Sequence, residues 1–307
     1  MTVPIRDNYD EFGLFAENIA EFAIDASATP SVKRVRIGLN DGRELSALVW
    51  GDSSPRLVFI HGGAQNAHTW DTVALALGVP LVAIDLAGHG HSDWREDGIY
   101  SHDNLAQDVA TAIAELAPNA RAVIGMSLGG LTALAVAHRA PELVRHLVLV
   151  DITPGVNAQK AKAVLDFVNG PQSFASFDEL LKRTMHHNPT RSETSLRRGI
   201  LHNAIQLADG SWQWRYDRRN HARTSSMEQP EQGHELTGLP QLWEAISQLK
   251  CPLLVVRGGA SPVVDEADIA EVKRRKASAE VVVIENAGHS IQGDRPIELA
   301  ALLRRFD

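Results

Sequence analysis

Gly125-Met126-Ser127-Leu128-Gly129-Gly130 decides how this chain is read. The hexapeptide follows an apolar, strand-like run at 122–124 and precedes a helix-like run at 128–139. That is Gly-x-Ser-x-Gly in the strand–turn–helix context that gives the motif meaning. The reason is steric. A sharp strand-to-helix turn forces the serine into strained dihedrals, and small neighbours let the backbone bend that tightly. The hydroxyl then projects above the sheet edge, where the following helix aims its free N–H groups. A Gly/Ser-rich turn at a strand end is the bland alternative, and the strand before and helix after weigh against it.

Working outward, the elbow lies within a regular alternation. Residues 33–39 read as a strand, Asn40-Asp41-Gly42 as a hairpin turn, and 44–50 as the returning strand. Short apolar runs at 57–60, 81–84, 122–124, 146–150, 252–256 and 281–284 have the character of buried parallel strands. Helical patterns at about 68–78, 102–116, 128–139, 266–276 and 294–305 separate several of them. The expectation is an α/β architecture with an eight-stranded, mostly parallel sheet flanked by helices. Residues 1–32 read as a helical N-terminal extension, with Phe12, Phe15, Ile19, Phe22 and Ile24 at roughly helical spacing and Pro30 at its end. The core is expected over 33–151 and 250–307. The interval 152–249 lacks a convincing buried strand and reads as an inserted helical cap, with helix-like segments at 158–168, 177–185 and 193–207. Within it, 224–238 is rich in Ser, Glu, Gln and Gly and is the stretch expected to be mobile.

Composition narrows the function classes. The 307 residues carry 30 Lys plus Arg against 38 Asp plus Glu, a net charge of −8, which lacks the basic footprint of a nucleic-acid or anionic-membrane binder. One cysteine, Cys251, excludes an intramolecular disulfide and a multi-cysteine metal site. The acidic N-terminus does not resemble a signal peptide, and no apolar run has the length of a membrane span, so a cytoplasmic location is expected. A small-molecule substrate is the expected partner, and a homodimer is left open.

Four pieces in this order resemble the α/β-hydrolase superfamily. They are His61-Gly62-Gly63 after the third strand, Asp85-Leu86-Ala87-Gly88-His89-Gly90-His91-Ser92 after the fourth, the elbow itself, and Gly288-His289-Ser290 after the last. The resemblance covers the core and leaves out the extension and most of the cap. It implies Ser127 as nucleophile and His289 as its base, since a hydroxyl near neutral pH needs a proton acceptor. It implies that the backbone N–H groups of Gly63 and Leu128 form the oxyanion hole. His61, His89 and His91 then read as architecture, and a metal reading of His89, His91 and His102 lacks a supporting carboxylate pattern.

The chain departs from the family at the acid. The usual position lies three or four residues past a glycine on the loop after the seventh strand. Here those positions, counted from Gly258, hold Ser261 and Pro262. Two candidates remain: Asp151 after the sixth strand, which is favoured, and Asp265, late in the seventh-strand loop, which also reads as a cap for the following helix; a site with no acid is the third alternative. Trp212 and Trp214 share a face if extended, and serve a pocket or a cap core. His186 and His187 read as surface residues.

The resemblance implies a serine hydrolase acting on a small carboxylic ester, lactone or thioester without metal or organic cofactor. Carbon–carbon bond hydrolysis of a diketone-type substrate, acyl transfer, and a non-catalytic binding protein on the same scaffold are the alternatives.

Overall fold

The computed structural model describes residues 9–25, 31–219 and 239–307. Its strands are β1 (Val32–Gly38), β2 (Glu44–Trp50), β3 (Leu57–Ile60), β4 (Leu81–Asp85), β5 (Ala122–Met126), β6 (Leu147–Val150), β7 (Ser173–Phe174), β8 (Ala204–Gln206), β9 (Trp212–Trp214), β10 (Leu253–Gly258) and β11 (Glu280–Ile284). Eight of them form one sheet in the order β1-β2-β4-β3-β5-β6-β10-β11. β2 runs antiparallel to both its neighbours, and every other pairing is parallel. The eight-stranded, mostly parallel sheet expected from the apolar runs is therefore present.

Those runs are continuous because the central strands are covered on both faces. Val58 and Ile60 join Val82, Ile84, Val123 and Leu149 in one core layer. Leu57 and Phe59 join Leu81, Ala83, Ile124 and Val150 in the other. The first layer is closed by α3 (His102–Leu116) and α4 (Leu128–Arg139), and the second by α2 (Asp71–Leu77) and the helix Pro296–Leu303. Pleating sends alternate side chains to opposite faces, so a strand of only four residues serves two cores.

The N-terminal helix forms as α1 (Phe15–Phe22) and ends at Ala23 in a left-handed conformation, φ 50°. Phe15 packs against Trp50 with ring centroids 5.0 Å apart, which places α1 on the second core layer. Pro30, expected as its terminator, lies outside the described residues.

Between β6 and β10 the chain leaves the sheet. Here α5 (Lys162–Val168), α6 (Phe177–His187) and α7 (Glu193–Asn203) are joined by a small antiparallel sheet in the order β7-β9-β8. The expected all-helical cap is thus corrected on one point. The helix predicted over 193–207 stops at Asn203, and the next three residues pair with β9. Strands of two or three residues are too short to show a period of two in the sequence. Trp212 and Trp214 on β9 are both buried with Phe174, Leu180 and Tyr216, forming the cap's own core. The helix Leu239–Gln248, read as the end of the cap, buries Leu242 and Ile246 in the first core layer beside α4. The stretch 224–238, expected to be mobile, lies outside the described residues.

Candidate active site

Ser127 sits between β5 and α4 with φ 51° and ψ −120°, a left-handed backbone that a residue with a Cβ adopts only under constraint. The constraint is the packing of α4 onto the strand ends. A Cβ on Gly125 would stand 2.3 Å from the Gly129 carbonyl oxygen, and one on Gly129 would stand 2.4 Å from those of Ile60 and His61. Only glycine lets the helix approach this closely. Leu128 is the first residue of α4, so its N–H has no acceptor within the helix.

Gly63 faces Leu128: a Cβ built on Gly63 would lie 3.9 Å from the Leu128 side chain. The loop carrying Gly63 is braced on several sides. The Gly62 N–H donates to Gln65 Oε1 at 3.1 Å. The Ala64 N–H donates to His89 Nε2 at 3.1 Å, and the Ala64 carbonyl accepts from Asn203 Nδ2 of the cap at 2.6 Å. His61 Nε2 in turn accepts from the Leu86 N–H at 2.9 Å. Both imidazoles accept through Nε2, which assigns the proton to Nδ1, facing the Gly62 and Ala87 carbonyls. Burial pushes the pKa of His61 down, and burial reinforced by His61 pushes that of His89 down to about 3. Neutral, fully engaged rings are architectural, as the sequence implied.

His289 Nδ1 lies 2.8 Å from Asp151 Oδ2. Asp151 follows β6, has no solvent exposure, and takes φ 48°. Its Oδ1 accepts from the Gly258 N–H at 2.9 Å, and its Oδ2 also accepts from the Ser261 hydroxyl. Asp265 is elsewhere. It caps the helix Glu266–Arg275 in a reciprocal capping box with Asp268, and Lys160 Nζ lies 2.9 Å from its carboxylate. Of the two candidates, only Asp151 meets His289.

Ser127, Gly63 and His289 line one cavity of about 380 Å³, roofed by cap residues that include Phe167, Val168 and Trp214. His187 borders this cavity while His186 is exposed. A fold model for the α/β-hydrolase fold matches residues 55–296. The esterase Rv0045c of Mycobacterium tuberculosis is 43% identical over 302 residues, covering 96% of this chain and 95% of the relative. The chain belongs to the α/β-hydrolase fold family. A solved structure of the M. tuberculosis esterase superposes with a TM-score of 0.83 at 42% identity, covering 97% of this chain and 99% of that one. A 2-(acetamidomethylene)succinate hydrolase of Mesorhizobium japonicum is 29% identical over 259 residues, 83% of this chain and 89% of its own.

For a member of this family the acid needs a physical account. The usual seventh-strand position is Ser261, and its hydroxyl reaches the carboxylate that β6 supplies from the neighbouring strand. Both strand ends converge on one point above the sheet, so either can hold the acid. Sequence reasoning discarded Ser261 because it carries no charge, and thereby missed it as a hydrogen-bond donor to Asp151. It also missed Gln65 and Asn203. The role of Asn203 depends on a cap–core contact that no local pattern encodes, whereas Gln65 turns back on Gly62 within its own loop.

One cluster among the described residues could offer ligand atoms to a metal: His68, Asp71 and His202, whose donor atoms lie within 4.8 Å of one another. The two imidazoles stack at 3.8 Å with their planes 8° apart, and His68 Nδ1 is 2.8 Å from Asp71 Oδ2. Lone pairs lie in the ring planes, so parallel stacked rings do not aim at a common point. The arrangement is that of a buried ion pair.

Proposed function

We propose that this chain hydrolyses a small carboxylic ester through an acyl-enzyme on Ser127. One observation carries the reading. The buried Asp151 carboxylate is hydrogen-bonded to His289, and His289 shares a cavity with a serine held in a strained elbow. The 43% identity to a named esterase supports the reaction class.

The Asp151 carboxylate faces His289 Nδ1, which keeps the proton there and leaves Nε2 free to accept one. Ser127 Oγ attacks the acyl carbon as its proton passes to Nε2. The carbonyl π electrons move onto oxygen, where the N–H groups of Gly63 and Leu128 stabilise the oxyanion. Collapse breaks the bond to the alcohol oxygen, which takes the proton from His289 and leaves. Water then repeats the sequence on the acyl-enzyme, releasing the acid and restoring Ser127. Two fixed backbone donors are worth about 3–4 kcal/mol each to such a transition state, so no cation is required at the carbonyl.

The test is labelling with a fluorophosphonate followed by peptide mapping, with Ser127→Ala and His289→Ala beside wild type. The expected result is one label on Ser127, absent in the first variant and strongly slowed in the second, together with turnover of short p-nitrophenyl esters. Folded wild-type protein that neither labels nor turns over any short ester would overturn the reading.

A further inference from the structure

Arg191 distinguishes this catalytic cavity. Among the described residues, three Lys or Arg side chains line it: Lys160, Arg191 and Arg198. Lys160 is bridged to Asp265 at 2.9 Å and Asp268 at 2.8 Å. Arg198 is bridged to Glu21 of α1, with Glu17 at 3.8 Å. Arg191 forms no ion pair among the described residues. Its Nη2 donates to Ser195 Oγ at 2.7 Å, and its Nε is buried with no partner. The nearby carboxylate of Asp294 is already committed, accepting from the Thr190 hydroxyl at 3.0 Å and the Gly288 N–H at 2.7 Å. Burial pulls the Arg191 pKa down, the direction expected of a cation without a counter-charge in contact, although attraction from Asp294 opposes it.

This guanidinium is also held in place. It lies across Gly293, where a Cβ would stand 2.9 Å from its Nε and Cζ. Gly293 belongs to the short helix Ile291–Asp294, which begins two residues after His289. The Arg191 N–H donates to the Asn188 carbonyl at 3.2 Å, fixing the turn between α6 and α7. A buried, oriented, unpaired guanidinium is costly to maintain unless something supplies the missing charge. One guanidinium balances one negative charge in a planar, two-toothed geometry, which suits a carboxylate better than a phosphate dianion.

We infer that Arg191 recognises a carboxylate on the substrate, so that the esters this enzyme prefers are anionic ones, such as half-esters of dicarboxylic acids. The inference rests on the ester-hydrolase reading above and adds the chemical class of the substrate. The net charge of −8 does not attract anions from a distance, so the preference belongs to this local cation.

The experiment compares mono-p-nitrophenyl succinate, glutarate and adipate with the same compounds methyl-capped at the free carboxyl. Wild type, Arg191→Gln and Arg191→Lys are assayed for the ratio of kcat/KM between acid and capped ester. At the chain length that fits, wild type is expected to favour the acid by about tenfold or more, the scale of a charge-assisted hydrogen bond. Arg191→Gln should bring the ratio to about one, and Arg191→Lys should retain part of it. A purely structural Arg191 would lower both substrates together and leave the ratio intact. In parallel, calorimetric titration of glutarate into Ser127→Ala reads the site without turnover, and binding should be lost in Ser127→Ala/Arg191→Gln. A wild-type ratio near one at every length, or a ratio unmoved by Arg191→Gln, overturns the inference. If no ester is turned over, the hydrolase reading fails, and glutarate binding alone decides for or against Arg191 as a carboxylate site.

Discussion

Asp151 is buried in a left-handed backbone conformation, and three groups converge on its carboxylate: the Gly258 N–H, the Ser261 hydroxyl and His289. Together they fix its orientation toward His289 Nδ1. Replacing Asp151 by Asn keeps the shape but offers His289 Nδ1 an amide that can donate, which promotes the wrong tautomer. The kcat for a short ester should then fall by about a thousandfold or more, with the fold retained. Ser261→Ala removes one of three holding groups and should cost about tenfold or less. Asp265→Asn should leave kcat unchanged and lower stability by less than about 1 kcal/mol, since asparagine caps a helix about as well as aspartate. A kcat loss with Asp265→Asn that exceeds the loss with Asp151→Asn would reverse the assignment of the acid. At this scale the sequence was legible where chemistry is written in a local motif. Ser127 and His289 each follow a strand and sit beside glycine. The carboxylate that meets His289 was legible only as a choice of two, because either of two neighbouring strand ends can carry one.

At the scale of elements, α1 behaves as a strap. It packs Phe15 on Trp50 of the core and reaches across to α7 of the cap. There Arg197 Nη2 meets Glu17 at 2.5 Å, Arg198 pairs with Glu21, and the Ser192 hydroxyl donates to Glu21. The two ion pairs are not equivalent. Arg197 and Glu17 have side chains 37% and 35% exposed, whereas those of Arg198 and Glu21 are 5% and 21% exposed. Glu21→Gln leaves a buried guanidinium without its main counter-charge and should cost about 2–3 kcal/mol in urea unfolding. Breaking the exposed pair Arg36–Glu44 with Glu44→Gln should cost at most about 1 kcal/mol. Equal losses for the two variants would mean that α1 is not a strap. The helix α1 itself was legible from the spacing of Phe12, Phe15, Ile19 and Phe22, but its docking partner was not. The same contrast separates the two sheets. The main strands announce themselves as continuous apolar runs because both faces are buried. The cap strands hold two or three residues each, and only their pairing with one another gives them a pattern.

Over the whole molecule, one buried charge network joins regions far apart in the chain. Glu11 precedes α1, Arg34 lies on β1, Asp85 ends β4, His68 precedes α2 and Asp71 begins it, and Tyr9 contacts His202 of the cap. Burial alone would lower the pKa of His68, but the carboxylates of Asp71 and Glu11 outweigh it and hold the imidazolium up to about 9. Its stabilising contribution is therefore complete below the unfolded value of about 6.5 and is lost as pH rises through about 9. His89 and His91 behave in the opposite sense. Burial holds both down to about 3, joined by His61 for His89 and by Arg34 for His91. They are neutral in the fold, so their contribution is complete above pH 6.5 and is lost as pH falls toward 3. Burial holds Glu11 above the value its hydrogen bonds from His68 and Arg34 would set, yet those bonds prevail and bring it to about 2. Its contribution fades only below about pH 4.5. Stability should accordingly peak at about pH 7 to 7.5, where the unfolded histidines have lost their protons and His68 has kept its own. The alkaline limb reflects one proton, with a slope of at most about 1.4 kcal/mol per pH unit. The acid limb reflects at least two and should be steeper. His61, His102, His187 and His202 are likewise held below their ordinary value, chiefly by burial, so the unfolded chain sheds histidine protons up to about pH 7.5 and His68 dominates only above it. Between about pH 7.5 and 8.5 wild type should lose stability in urea unfolding. His68→Gln should be less stable at about pH 7.5 and nearly flat over that range, with the acid limb unchanged in slope. Wild-type stability that stays level or rises between about pH 7.5 and 8.5 would show that His68 is neutral in the folded protein, and that Glu11 is held by Arg34 alone.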